Sequence, residues 1–275
     1  MTEPSRETTR TPSKRQAAIL RRLSKLGFAS TTSLANHFQV SEMSIRRDAA
    51  AIEKLGLARR VHGGLVSLRA VTDGSRDFFG RNIVNSMEKE VIARAAAQAV
   101  GDQDVIVIDA GTTAYQFARA LPETFRGTVI SHSLPVFNLM LNRSNVTTIS
   151  LGGELYRRSQ AFIGSSALTA ARELKAGTFF MGAAALDARG IYASLDIEKE
   201  IKRALIGICQ NIVLLADSTK FNANAPVALV PWDDRFTVLT DRLPSTELLA
   251  EFADRGVRVD EADSLPAREG VGMIS

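Results

Sequence analysis

Cysteine is nearly absent from this 275-residue chain, and the single Cys209 excludes an internal disulfide framework. Its setting, ALIGICQNIVLL, is that of a buried structural thiol rather than a reactive one. No uninterrupted apolar run approaches the 18 or more residues that span a bilayer, so no membrane partner is expected. The opening MTEPSRETTRTPSKR lacks the apolar core of a secretory leader, and a cytoplasmic location is expected. Global disorder is also excluded, because 45% hydrophobic and 23% charged residues are ordinary for a folded chain with room for two domains. No motif calls for a metal or cofactor.

What is present is unevenly distributed. Residues 1–70 hold thirteen Lys/Arg against five Asp/Glu, whereas the remainder holds 21 against 25. A polyanion-binding module joined to a mildly acidic body is the simplest account, a solvated basic face the alternative.

Periodicity refines the basic module to residues 12–67, after a tail over 1–11. From Pro12, Ile19, Leu20, Leu23 and Leu26 recur at helical intervals until Gly27 stops them. Ser30, Thr31 and Thr32 offer N-caps to a second helix that carries Leu34, Ala35 and Phe38. Ser41 caps a third, in which Ile45, Ala49 and Ile52 form the buried stripe. At about 100° per residue, Met43, Arg46, Arg47, Ala50 and Lys54 then face outward, with Ser44 beside them in the first turn. This is a helix-turn-helix over about 29–48. Arginines near the start of a recognition helix can bond guanine O6 and N7 together. After Gly56, LARRVHGGLVSL reads as a hairpin wing that places Arg59 and Arg60 at phosphates. His62 is either a DNA contact or a plain turn residue.

The strings IRRD at 45–48 and RVHGG at 60–64, in this order within a three-helix pattern, resemble the DNA-binding module of the DeoR family of transcriptional regulators. Two positions depart from the family's habit: Ser44 stands for threonine and Ala49 for leucine. The resemblance implies operator DNA as a partner and a homodimer or homotetramer.

Residues 68–90 lack a clear period and read as a linker, followed by a domain over 91–250 and a C-terminal segment over 251–275. The domain alternates helix and strand: DVIVID, GTVIS, VTTISL, TFFMGAAAL, IVLLAD and FTVLTD are the strands. The expected fold is α/β, a winged helix-turn-helix followed by a doubly wound parallel sheet. Ligands bind such sheets beyond the carboxyl ends of the strands. There Asp109 leads into Gly111, Thr112 and Thr113 at a helix start, a place for a phosphate or an ordinary cap. Other strand ends offer Ser131 and His132; Gly152, Gly153 and Glu154; Asp187; and Asp217 with Lys220. Glu198 and Lys202, one helical turn apart, are either ligand contacts or a surface ion pair.

The resemblance continues through this body in DAGTT at 109–113, GGE at 152–154, LDARGI at 186–191 and LLADSTKF at 214–221. It implies a sugar-phosphate-isomerase-like domain that senses a phosphorylated sugar or polyol, with Thr178 and His132 as departures. Isomerisation itself would need a base such as Asp187 or Glu198, with Lys202 or Lys220 steadying the enediolate. The isomerases' glycine-rich lysine loop is missing. The expected function is therefore a non-enzymatic repressor of a carbohydrate or polyol operon.

Overall fold

The computed structural model describes residues 12–26, 28–61, 63–67 and 78–264, so the readings placed on Gly27 and His62 lie outside the described residues. The chain divides into two units, residues 1–84 and 85–275.

In the first unit, α1 (Lys14–Leu26) begins with a reciprocal cap. Ser13 Oγ accepts from Gln16 N at 3.3 Å, and Gln16 Oε1 accepts from Ser13 N at 2.9 Å. Helices α2 (Thr31–Phe38) and α3 (Glu42–Lys54) are capped by Ser30 and Ser41. Ile19, Leu23, Leu34, Ile45, Ala49 and Ile52 close one core beneath them. The wing is β2 (Ala58–Val61) and β3 (Gly64–Ser67), antiparallel with Arg60 opposite Leu65. A third strand, β1 (Phe28–Ser30), pairs with β3 and was not anticipated, because three residues are too few to show alternation.

The segment read as a linker is partly helical. It contains α4 (Phe78–Ile83), and α5 (Ser86–Gln98) starts five residues ahead of the apolar run at Val91. Met87, Glu88, Lys89 and Glu90 are strong helix formers and carry the helix back to Asn85 without an apolar period.

The second unit is built on seven parallel strands in the order β15-β14-β12-β9-β4-β5-β6. They are β4 (Val105–Ile108), β5 (Thr128–Ser131), β6 (Thr147–Ser150), β9 (Ala176–Gly182), β12 (Cys209–Leu215), β14 (Phe236–Thr240) and β15 (Arg258–Glu261). Successive residues feed opposite cores. Val107, Ile130, Phe179, Met181, Ile212 and Leu214 pack with α8 (Ser165–Arg172), α9 (Lys199–Gly207) and α10 (Thr246–Ala253). Ile106, Ile108, Val129, Phe180 and Leu215 pack with α5, α6 (Thr112–Ala120) and α7 (Leu134–Met140). Covering both faces makes the sheet doubly wound and explains the unbroken apolar run VIVI of the central strand β4.

Three boundaries differ from those read in the sequence. TFFMGAAAL is two strands, since β9 ends at Gly182 and β10 (Ala185–Asp187) joins β11 (Gly190–Ala193) and β13 (Val227–Val230) in a separate sheet. Glu198 lies in a 3-10 turn, Asp196–Glu198, before α9, and Cys209 already opens β12. The supposed C-terminal segment contributes the edge strand β15, whose polar sequence RVDE gave no sign of a strand. A hairpin, β7 (Glu154–Tyr156) with β8 (Ala161–Ile163), follows β6.

Candidate functional site

The IRRD string serves two opposite faces of α3. Ile45 enters the core, while Asp48 is buried and accepts from Arg15 Nε at 2.5 Å and Gln16 Nε2 at 3.3 Å. Its carboxylate thus ties α1 to α3, a structural role the sequence did not disclose. Met43, Arg46 and Arg47 are exposed on the other face, with Arg46 3.6 Å from Glu42. Ser44 donates its amide to Ser41 Oγ and lies 3.1 Å from that oxygen through its own hydroxyl.

The wing is fastened to α3 through Glu53. Arg60 donates its backbone N–H to Glu53 Oε1 at 2.8 Å and its Nε to Oε2 at 2.6 Å. The Arg60 side-chain and backbone hydrogen bonds hold the Glu53 carboxyl below its ordinary range. Arg59 is exposed. The Gly63 carbonyl accepts from Thr31 N at 2.7 Å, which joins the wing turn to the start of α2.

In the second unit the strand order reverses between β4 and β9, and the candidates Asp109, Gly111, Thr112 and Thr113 follow the carboxyl end of β4 there. Asp109, one residue past β4, is 1% exposed. Its Oδ2 accepts the Gly182 amide at 2.9 Å and a close contact from Lys202 Nζ. Lys202 also donates to the Gly182 carbonyl at 2.9 Å. Burial acts to raise the Asp109 pKa, but the Lys202 charge and the His132 hydrogen bond outweigh it and hold the carboxyl well below the carboxylate range. Lys202, on α9, therefore pairs with Asp109 at the end of β4 and is not half of a surface pair with Glu198, which is half-buried in its 3-10 turn.

Gly111 caps α6 and has no side chain to satisfy the helix's first amides. Those of Thr112, Thr113 and Ala114 open the helix directly beyond the Asp109–Lys202 pair, and both threonines are buried. A Cβ on Gly111 would lie 3.7 Å from both Gly182 Cα and Asp109 Oδ2, so two glycines bring the two strand ends together.

His132 is 2% exposed and sits beneath this loop. Its Nδ1 lies 3.2 Å from the Phe162 carbonyl, and its Nε2 is 3.3 Å from Ala110 N and 3.2 Å from Asp109 Oδ1. Ser131 donates to the Ile108 carbonyl at 2.7 Å and accepts from Ser133 N at 3.1 Å, so it braces β5 against β4. Thr178, the other departure, lies near the opposite end of β9, four residues or about 13 Å from Gly182.

The remaining candidates are dispersed over the rim. Gly152 and Gly153 take φ of 63° and 105°, and a Cβ on Gly153 would meet the Ile163 carbonyl oxygen at 2.3 Å, which requires glycine where the chain turns into β7. Glu154 is exposed on β7, and Lys220 is half-buried in the 3-10 turn Ser218–Lys220. Asp187 does not join the Asp109 cluster through any hydrogen bond among the described residues. Its carboxylate is taken by Arg189 N at 2.8 Å, Gly190 N at 3.2 Å, Arg189 Nη2 at 3.0 Å and the Tyr192 hydroxyl at 3.1 Å. Burial raises its pKa, but these donors prevail and lower it. That is the wrong direction for the general base once nominated there. Burial lifts the Cys209 thiol to about 12 against the opposing charge of Arg235, which leaves it unreactive at neutral pH. Two residues escaped the sequence reading: Gly182, whose backbone completes the Asp109–Lys202 cluster, and Asn85, bonded to Asp217.

Comparison with known proteins returns two family matches. Residues 15–71 match the DeoR-like helix-turn-helix domain, and residues 84–242 match the DeoR C terminal sensor domain. The transcriptional repressor AccR of Agrobacterium fabrum is 31% identical over 82% of this chain and 88% of its own length. The glycerol-3-phosphate regulon repressor of Escherichia coli is 27% identical over 90% of this chain and 98% of its own. Among solved structures, ribose 5-phosphate isomerase A from Methanocaldococcus jannaschii aligns with a TM-score of 0.37 and 19% identity over 50% of this chain and 55% of that one.

Proposed function

This chain belongs to the DeoR family of transcription regulators, and from that premise we propose that it represses a carbohydrate or polyol operon under the control of a phosphorylated metabolite. The observation that carries the effector half is the uncapped start of α6 above the buried Asp109–Lys202 pair. Free amides at a helix N-terminus form an anion site, and the strand-order reversal is where sheets of this kind take ligands. Phosphate would rest on the amides of Thr112 and Thr113, with hydroxyls reaching the rim residues Gly152, Gly153, Glu154, Glu198 and Lys220. Several relatives bear the names of sugar or glycerol-3-phosphate repressors, which agrees with this chemistry.

The DNA-binding half rests on the exposed face of α3. Two copies of the chain related by a two-fold axis would present two such helices to successive half-sites of an operator. Arg47→Ala is expected to weaken operator binding by about 1–3 kcal/mol, the worth of a bidentate base contact. Anisotropy titration on DNA from the chain's own promoter measures it, and unchanged affinity would remove Arg47 from the recognition surface.

A thermal-shift screen of phosphorylated sugars and polyols tests the effector assignment. A ligand at one hundred times its Kd is expected to stabilise the native protein by about 2.7 kcal/mol. Stabilisation by unphosphorylated polyols alone would discard the phosphate reading.

A further inference from the structure

Asn85 is the first residue of the second unit and the N-cap of α5, yet it does not cap that helix. Asparagine is among the strongest N-cap residues because its side-chain oxygen accepts the second or third helical amide from an extended backbone. Here the backbone is left-handed, φ 54° and ψ 42°, and the side-chain amide is spent elsewhere. Its Nδ2 donates to Asp217 Oδ1 at 3.0 Å and to Thr219 Oγ1 at 3.1 Å.

The acceptor side of this contact is incomplete. Asp217 is fully buried, and its Oδ1 also takes Thr219 N at 3.2 Å and the Thr219 hydroxyl. Its Oδ2 is buried with no hydrogen-bond partner among the described residues. A buried carboxylate oxygen without a donor is costly, so the arrangement is held against an unmet demand. Asp217 also caps the 3-10 turn that carries Lys220 and stands two residues beyond Leu215, the register partner of Gly182. Gly182 in turn holds both Asp109 and Lys202. The contact thus borders the effector site on one side and the chain leading out of the unit on the other.

We propose that Asn85 is a two-position switch. In one position it latches onto Asp217. An anion on the α6 amides draws Lys220 and its turn, the Asp217 carboxylate follows, and Asn85 is released to cap the amides of Met87 and Glu88 from an extended backbone. Moving φ of Asn85 from the left-handed to the extended region re-aims the backbone that enters α5. The inference rests on the anion site proposed above and adds the means by which its occupancy leaves the sheet.

The test uses the full chain and inorganic phosphate, with chloride at matched ionic strength as the control, and reads backbone amide exchange by NMR. Phosphate is expected to slow the amides of Thr112–Ala114 and also those of Met87 and Glu88, the latter by about fivefold, the factor an asparagine cap supplies. Glycine adopts a positive φ without cost, so Asn85→Gly keeps the latched backbone and removes only the side chain. In that variant Thr112–Ala114 should still respond and Met87 and Glu88 should not. Asn85→Asp places a second carboxylate against Asp217 while keeping a good cap, so its Met87 and Glu88 amides should be slow without phosphate.

Protection at Thr112–Ala114 with no change at Met87 and Glu88 in the parent chain would overturn the switch and leave the anion site standing. No protection at either place would overturn both. Equal slowing of the Leu248 amide, which already has a cap in Ser245, would mark general stabilisation and also overturn the switch.

Discussion

Lys202→Met is expected to destabilise the second unit by about 3–5 kcal/mol, the usual cost of removing one partner from a buried ion pair. Lys202 is 8% exposed at its side chain and Asp109 is 1% exposed, so water cannot replace the lost charge. Against a total of about 5–15 kcal/mol for a domain, that loss leaves the fold marginal. Urea unfolding measures it, and a difference below about 1 kcal/mol at pH 7 would contradict the pairing.

The pH dependence separates charge from packing. In the parent chain the Asp109 pKa is lowered, so between the unfolded value near 4 and the folded one the unfolded state binds more protons. Its contribution is therefore complete above the ordinary aspartate range and is lost as pH falls through the folded value. In Lys202→Met burial is opposed only by His132 and the Gly182 amide, so the Asp109 carboxyl titrates higher than in the parent. That variant is therefore expected to lose less stability than the parent as pH falls from 7 through the aspartate range. Parallel stability profiles for the two proteins would show that Lys202 acts through its carbon chain alone.

That pair also marks the limit of what the sequence discloses. The face of α3 could be read because Ile45, Ala49 and Ile52 lie on one helix, where spacing alone fixes direction. Asp109 and Lys202 are 93 residues apart, one just past β4 and the other on α9, and they meet where Gly182 at the end of β9 bonds to both. Spacing pointed Lys202 at Glu198, its neighbour along the chain, whereas the fold supplied a partner from the end of β4. The same limit hid the partner of Asp48: its absence from the outward face could be read along α3, but Arg15, 33 residues earlier on α1, could not. Asp187 differs for the opposite reason. A carboxylate at a strand end looked available for a ligand, but the hairpin from β10 to β11 takes its oxygens locally through Arg189, Gly190 and Tyr192. Gly111, Thr112 and Thr113 were legible because strand, glycine and helix start are contiguous in sequence.

Gly111→Asp is expected to abolish the response to any phosphorylated effector while leaving the fold intact. The backbone at Gly111 is extended, φ −85° and ψ 160°, and an added Cβ meets its nearest atoms at 3.7 Å, so a Cβ fits without strain. Aspartate there is a good N-cap, worth a few tenths of a kcal/mol over glycine, and its carboxylate occupies the amides that phosphate would use. The same negative charge repels an incoming dianion across a few ångströms, so affinity should fall by more than about 100-fold, or roughly 2.7 kcal/mol. Gly111→Ala is the control: it adds the same Cβ and leaves the amides free, so effector binding should persist. Calorimetric titration of both variants decides the matter. If Gly111→Asp binds the effector as the parent does, the anion sits elsewhere on the rim; if both variants lose it, the close approach of Gly111 to Gly182 matters more than the free amides.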